Sequence, residues 1–128
     1  MSKDMIPNMT QTPNFILDEW MSILSGPEFK ILMILIRQTI GWIMDDSTGR
    51  RKERDWMNIG QIKKRTGIKS SQTVSKSIAN LSEMYHLIET ITESGFLLDS
   101  PEKREKHSGK IYYRLVLKNP CAKPVSKL

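Results

Sequence analysis

A run of short polar side chains and lysines follows Ile68, and its residue types are those that hydrogen-bond to nucleic acids. Glutamine can pair with adenine through two hydrogen bonds, and lysine can reach guanine or a phosphate oxygen. At about 100° per residue, most of these side chains share the helix face opposite Val74, Ile78 and Leu81. The candidate DNA-contacting residues of this segment are Lys69, Ser70, Ser71, Gln72, Thr73, Lys76 and Asn80.

Each of these residues also has a plainer interpretation. A serine at the start of a helix is a common cap, and a lysine on a helix face is usually solvated. For a single position the two interpretations are equally good. The whole pattern of apolar and polar positions is more specific, and it favours a helix that contacts DNA.

The elements around this segment predict a helix-turn-helix. Asn58 can cap a helix over residues 59–66, with Gln61 in the supporting third position and Gly67 as a left-handed terminator. Ser70 or Ser71 then caps a second helix. Its predicted inner stripe has steps of four, three and four residues, and consists of Val74, Ile78, Leu81 and Tyr85.

The first half of the chain predicts helices that support this motif. Apolar residues recur every three or four positions over 15–24, which is typical of an amphipathic helix. Ser25 and Glu28 have the spacing of a capping box for a second helix over 27–42, which is apolar on nearly every side and should be buried. Gly41 is its expected terminator. Residues 45–54 are expected to form a solvated loop, and residues 55–57 a short strand.

Two β-rich runs, 87–92 and 111–117, predict a hairpin after the helices, with a charged loop over 99–109 between its strands. The candidate phosphate contacts in this region are Lys103, Arg104, Lys106 and Lys110, partly cancelled by Glu102 and Glu105. Residues 96–98 are apolar and either cap the core, which is favoured, or form a contact surface. The predicted fold is mainly α with a small β-hairpin wing, a winged helix-turn-helix over 14–118, between a flexible arm (1–13) and a flexible tail (119–128).

Composition restricts the classes of partner. Residues 1–49 carry 3 basic and 6 acidic groups, whereas residues 50–128 carry 17 and 8, a net charge of +9. A basic second part predicts a polyanionic partner, double-stranded DNA. The single cysteine, Cys121, and the lack of zinc-ligand spacing predict no disulfide, metal or other cofactor. Because this cysteine usage gives no sign of an oxidising compartment, a cytoplasmic protein is expected. The longest apolar run, 31–36, is too short for a membrane span and is expected to be a core segment.

The segment from Glu28 to Trp42 (EFKILMILIRQTIGW), the triplet Arg54-Asp-Trp and the helix-turn-helix together carry a resemblance. Over residues 12–118 the chain resembles the N-terminal DNA-binding domain of the phage replication protein O family, the lambda O-like replication initiators. The resemblance implies a winged helix that reads bases with residues 70–76 and binds repeated sites at a replication origin. Replication proteins and a second copy of the chain are then further candidate partners.

Three features depart from what the resemblance implies. His86 stands where glycine is usual before the first wing strand, and a residue with a Cβ is strained there at positive φ. Lys63 occupies a position that is usually small, which predicts looser packing of the two helices. The family recruits the helicase loader through a separate C-terminal region, and the sequence ends at Leu128 without room for one. It is therefore expected to be a fragment or to act in DNA binding only.

Three other functions compete with replication initiation. A transcriptional regulator that binds a promoter operator uses the same motif, because fold does not decide function. A winged helix that binds only protein is disfavoured by the basic charge beside the motif. An enzyme is the least favoured, because Ser70 and Ser71 lack a paired histidine and aspartate and the sequence has no Walker-type phosphate loop.

Overall fold

The computed structural model describes residues 9–40, 43–45 and 50–116, so most of the predicted arm and the whole predicted tail lie outside it. Single π-helical turns span Ile16–Trp20 and Asn80–Met84. The remaining elements, in chain order, are α1 (Gly26–Gln38), β1 (Ile43–Asp45), β2 (Arg50–Arg51), β3 (Arg54–Trp56), α2 (Ile59–Thr66), α3 (Ser71–Ala79), β4 (Ile88–Ile91), α4 (Pro101–Lys106) and β5 (Tyr112–Leu115). The described chain is helical with a small antiparallel sheet of three strands.

The predicted helix over 15–24 is present only as the turn Ile16–Trp20 and its flanks. Its buried side chains, Ile16, Trp20 and Leu24, recur at every fourth position. The turn is wound more widely than an α-helix, because the Met21 amide donates to the carbonyl of Ile16, five residues earlier, at 2.9 Å. The segment therefore packs one apolar edge against the core.

Helix α1 begins at the predicted capping box. The Ser25 amide donates to Glu28 Oε1 at 2.8 Å, and the Glu28 amide donates to Ser25 Oγ at 3.3 Å. The buried face of the helix consists of Ile31, Leu32, Leu35 and Ile36.

The end of α1 corrects the prediction. The helix ends at Gln38 and not at Trp42, because Thr39 leaves the helical conformation with φ −119° and ψ −102°. The Thr39 hydroxyl donates to the Leu35 carbonyl at 2.6 Å. Gly41, the predicted terminator, lies outside the described residues together with Trp42.

The two helices of the predicted helix-turn-helix are α2 and α3, and α1 packs against both. Asn58 and Gln61 cap α2 reciprocally, at 2.8 and 3.0 Å. Gly67 ends α2 in the left-handed region at φ 80°. Ser70, and not Ser71, caps α3 by accepting the Thr73 amide at 3.2 Å. Of the predicted inner stripe, Val74, Ile78 and Leu81 are buried and Tyr85 is half-buried.

The predicted pairing of residues 87–92 with 111–117 is confirmed as β4 and β5, with Ile88 opposite Leu115 and Ile91 opposite Tyr112. A third strand, β3, pairs with the other edge of β5, so the strand order is β3-β5-β4. Inward-facing Tyr113 and Leu115 are buried. Three helices and this sheet are compatible with a winged-helix layout.

The segment between β4 and β5 differs from the predicted charged loop. Residues Pro101–Lys106 form α4, whose N-cap Ser100 accepts the Lys103 amide at 3.2 Å. Before it, a turn around Gly95 (φ 96°) leaves Phe96 and Leu97 exposed by 73% and 48%. The expectation that residues 96–98 cap the core is therefore wrong for these two residues and holds only for buried Leu98.

Two further positions bear on the sequence expectations. Residues 45–54 were predicted to form a loop, but β1 and β2 pair within this region, with Asp45 opposite Arg50. His86 is the only non-glycine residue with positive φ in the described chain, at 54°, so the corner before β4 does require a left-handed residue. In the described residues, no helix is long and apolar enough to cross a membrane.

Candidate nucleic-acid interface

The start of α3 presents the predicted hydrogen-bonding residues to solvent. Lys69, Ser70, Ser71, Gln72 and Lys76 are exposed, and Thr73 is half-buried. The side of α3 that carries Gln72 and Lys76 faces away from the buried stripe. The structure therefore brings these six predicted residues together on one open surface, which we call the α3 surface.

The charge on this surface has one sign. Residues 57–82 contain no aspartate or glutamate, and their basic residues are Lys63, Lys64, Arg65, Lys69 and Lys76. The ammonium group of Lys63 donates to Ser71 Oγ at 3.2 Å, so a cation of α2 lies beside the first turn of α3. Lys63, expected to loosen the packing of the two helices, is half-buried and joins them. The basic residues of α2 and α3 therefore create a local positive field next to exposed hydrogen-bonding groups.

Asn80 is held inside the fold. Its side-chain amide donates to Glu28 Oε2 at 2.7 Å, and Asn80 itself is half-buried. Glu28 is only 5% exposed and uses its other carboxylate oxygen for the capping box of α1. The side chain of Asn80, a predicted DNA contact, is therefore already engaged in a hydrogen bond that joins the end of α3 to α1.

Arg104, predicted to contact phosphate, lies in a partly buried ion pair. Its side chain is 10% exposed and contacts Glu83 at 3.0 Å. It also donates to Thr90 Oγ1 at 3.2 Å and to the Leu98 carbonyl at 3.1 Å. Arg104 thus anchors α4 to the sheet and neutralises Glu83, the acidic group nearest to α3 in the sequence.

The other predicted cations of the wing region lie in two places. Lys103 and Lys106 are exposed on α4, and Lys103 pairs with Asp99 at 2.8 Å on the surface. The hydrogen bond from Lys103 lowers the pKa of Asp99. Lys110 lies elsewhere, with Nζ 4.5 Å from the centre of the Trp56 ring. Lys103 and Lys110 each contact a residue outside the α3 surface.

A polar network missed by the sequence reasoning holds the end of α1 against β3 and α2. Gln38 donates to Asp55 Oδ2 at 2.7 Å and accepts from Arg65 at 2.7 Å. Lys52 donates to the same Asp55 oxygen at 2.6 Å. Burial favours a raised pKa for Asp55, but the hydrogen bonds from Lys52, Gln38 and the Trp56 amide outweigh it and lower the pKa. No sequence signal links these positions, because Gln38 and Arg65 are 27 residues apart.

Two tyrosines complete the packing behind the interface. Burial raises the pKa of Tyr113 to about 12. Burial, and to a lesser extent the charge of Glu28, raises the pKa of Tyr85. Tyr85 meets Trp20 edge to face, with ring centres 5.4 Å apart, so the segment after α3 is fixed to the N-terminal turn.

Comparison with protein-family models, with curated proteins and with solved structures gave no match to this chain. Among residues 9–40, 43–45 and 50–116, no group of three or more histidine, cysteine, aspartate or glutamate side chains gathers as a metal site.

Proposed function

We propose that this protein binds double-stranded DNA in a sequence-specific manner through the α3 surface, and that it acts by binding without catalysis. The observation that carries this proposal is the helix-turn-helix itself. A capped α2, a left-handed turn at Gly67 and a capped α3 leave Gln72 and Lys76 exposed on a helix whose opposite side is buried. Recognition helices enter the major groove by their N-terminal residues, which are the exposed ones here.

The chemistry of the surface divides between bases and phosphates. Gln72 has the donor and acceptor pair that matches adenine, and Lys76, one turn later, can donate to guanine. Lys69 precedes the helix and is suited to a phosphate oxygen. No aspartate or glutamate lies between residues 57 and 82, so α2 and α3 contribute no negative charge that would repel a DNA phosphate.

The proposal is tested by selecting bound sequences from a pool of random duplexes and measuring the affinity for the selected site. Gln72→Ala and Lys76→Ala should each weaken binding by a factor corresponding to roughly 1–3 kcal/mol. Lys106→Ala is the matched control, because it removes an exposed lysine from α4. The proposal is wrong if the selection enriches no sequence, or if Gln72→Ala and Lys76→Ala both bind the selected site as tightly as the parent.

The particular biological role that we propose is replication initiation at a phage-type origin. It is supported by the resemblance of the segment from Glu28 to Trp42, which goes beyond what a helix-turn-helix requires. An initiator should protect several repeats beside an easily melted, AT-rich stretch in a footprint of the surrounding genome. Protection of a single promoter operator without such repeats would instead assign the protein as a transcriptional regulator.

A further inference from the structure

The side of the three-stranded sheet that faces away from the core carries aromatic and charged residues. Trp56 lies opposite Tyr112 in the β3–β5 pair, and Arg114 lies opposite Glu89 in the β5–β4 pair. Alternation along each strand places these positions on one side and buried Tyr113 on the other. We call this side the outer sheet face, and its residues are Arg54, Trp56, Glu89, Ile91, Tyr112 and Arg114. Since Ile91 is buried, the open part of the face follows β3 and β5.

Both aromatic rings of this face lie under a cation. The Arg54 guanidinium carbon is 5.4 Å from the centre of the Tyr112 ring, and Lys110 Nζ is 4.5 Å from the centre of the Trp56 ring. Arg54 and Lys110 are exposed, and the two rings are partly exposed. Both pairs therefore place an exposed cation over neighbouring rings of one small sheet.

A pocket of about 410 Å³ adjoins Trp56 at the edge of the outer sheet face, between the start of α2 and the segment that leads into β5. Its walls include Asn58, Ile59, Gly109 and Lys110, and they are mostly apolar. A volume in the range of ordinary small-molecule sites, roughly 300–1,000 Å³, has room for a planar group beside the indole.

We propose that the outer sheet face and this pocket bind single-stranded DNA, separately from the duplex contacts of α3. Unpaired bases expose flat surfaces that stack on Tyr112 and Trp56, whereas a duplex keeps its bases stacked inside the helix. Base stacking on an aromatic ring is stronger than an exposed cation–π contact, so a base displaces Arg54 or Lys110 from the ring. The displaced cation then lies beside a phosphate.

Charge on the face favours the same ligand. Arg114 is neutralised by Glu89 at 2.6 Å, which leaves Arg54 and Lys110 as the excess positive charge of the face and pocket. Rings flanked by exposed cations match a strand whose bases alternate with phosphates along its length.

The test is fluorescence anisotropy of a labelled 12-nucleotide oligothymidylate with the full chain. Tyr112→Leu should raise the dissociation constant about tenfold, because the stacking ring is lost. Tyr112→Phe keeps the ring and should bind like the parent. Arg54→Gln should weaken binding, whereas Lys103→Gln removes the same charge from α4 and should not. A parent that does not bind the oligonucleotide, or a Tyr112→Leu variant that binds as tightly as the parent, would overturn the proposal.

The duplex selected for the α3 surface serves as the second ligand, and it separates this proposal from the proposed function. Tyr112→Leu should keep its affinity for that duplex, which also demonstrates that the variant is folded. Gln72→Ala should lose affinity for the duplex and keep affinity for the oligothymidylate. If Gln72→Ala weakens both ligands equally, the outer sheet face is not a separate site. If selection yields no duplex, the proposed function fails while the oligothymidylate still tests the sheet.

Discussion

Asn80 at the end of α3 donates a hydrogen bond of 2.7 Å to Glu28 in the first turn of α1. The two residues are separated by 52 positions in the sequence. One carboxylate oxygen of Glu28 holds Asn80, and the other holds the Ser25 amide at the start of the helix. A single buried carboxylate therefore fixes the start of the central helix and the direction of the proposed recognition helix together.

Asn80→Ala is expected to destabilise the protein by about 1–3 kcal/mol, because it removes one partner of a buried carboxylate oxygen. The free energy of unfolding in urea measures the effect. Ser25→Ala, which removes only the serine side of the capping box, should cost about 1 kcal/mol and serves as the comparison. An Asn80→Ala variant with unchanged stability but weaker binding to its selected duplex would mean that Asn80 is a DNA contact, as its sequence position suggests.

Arg104→Gln should destabilise the fold more than either neighbouring lysine variant on α4. The substitution removes the charged hydrogen bonds to Glu83 and the Leu98 carbonyl, and such bonds contribute about 1.5–3 kcal/mol each. Because Glu83 is 32% exposed, the lower end of this range is expected. Lys103→Gln and Lys106→Gln should leave the urea midpoint unchanged. Equal midpoints for all three variants would show that the Arg104 ion pair does not anchor α4.

The helix-turn-helix could be predicted from sequence because its boundaries are set by local chemistry. Asn58, Gln61, Gly67 and Ser70 act within a few residues of themselves, and the structure has each in its predicted capping or turn position. The pairing of β4 with β5 was also predictable, since both runs are rich in β-forming residues.

The roles of Asn80 and Arg104 could not be predicted, because they depend on partners distant in sequence. Periodicity identifies the face of a helix on which Asn80 lies, but not that Glu28 reaches it. For α4 a local signal was present: Ser100 followed by Pro101 is a common helix start, and the surrounding charges concealed it. The short strand expected over 55–57 is present as β3 (Arg54–Trp56), but its pairing with β5, more than 50 residues later, has no local signal.

His86→Gly is expected to stabilise the protein. A residue with a Cβ in the left-handed region destabilises the folded protein by about 1–2 kcal/mol. Glycine offsets about 0.4–1 kcal/mol of this gain, because it gives the unfolded chain more conformational freedom, so the net gain in stability should be roughly 1 kcal/mol. Gly67→Ala is expected to destabilise the protein, because Gly67 has a φ of 80°. An added Cβ there meets nothing within 4 Å, so this variant measures backbone strain alone. Thermal melting should move up for the first variant and down for the second. The strain argument fails if the two variants shift in the same direction.

Asp55 should make the fold sensitive to acid. Its pKa in the folded protein lies below the usual 3.8, so its contribution is fully present above that pH and is lost as the pH falls through the lowered value. Urea midpoints measured from neutral pH into the acid range should fall less steeply for Asp55→Asn than for the parent. Lys52→Gln removes one of the bonds that lower the pKa and should give an intermediate slope. Parallel curves for the parent and Asp55→Asn would exclude this contribution.

Duplex binding should weaken steeply with salt, and the slope should identify the lysines that contact phosphate. Each neutralised phosphate contributes about −0.9 to the slope of log affinity against log salt. Lys69 and Lys76 are exposed on the α3 surface, so Lys69→Gln with Lys76→Gln should reduce the magnitude of the slope by about 1 for each lysine that contacts phosphate. Lys103→Gln with Lys106→Gln removes the same charge from α4 and should leave the slope unchanged. This control separates local contacts from the effect of net charge, because a general field effect would flatten both slopes equally. A flatter slope for the Lys103→Gln, Lys106→Gln variant alone would assign the phosphate contacts to α4 and not to α3. The sequence also predicts phosphate contacts at these α4 lysines.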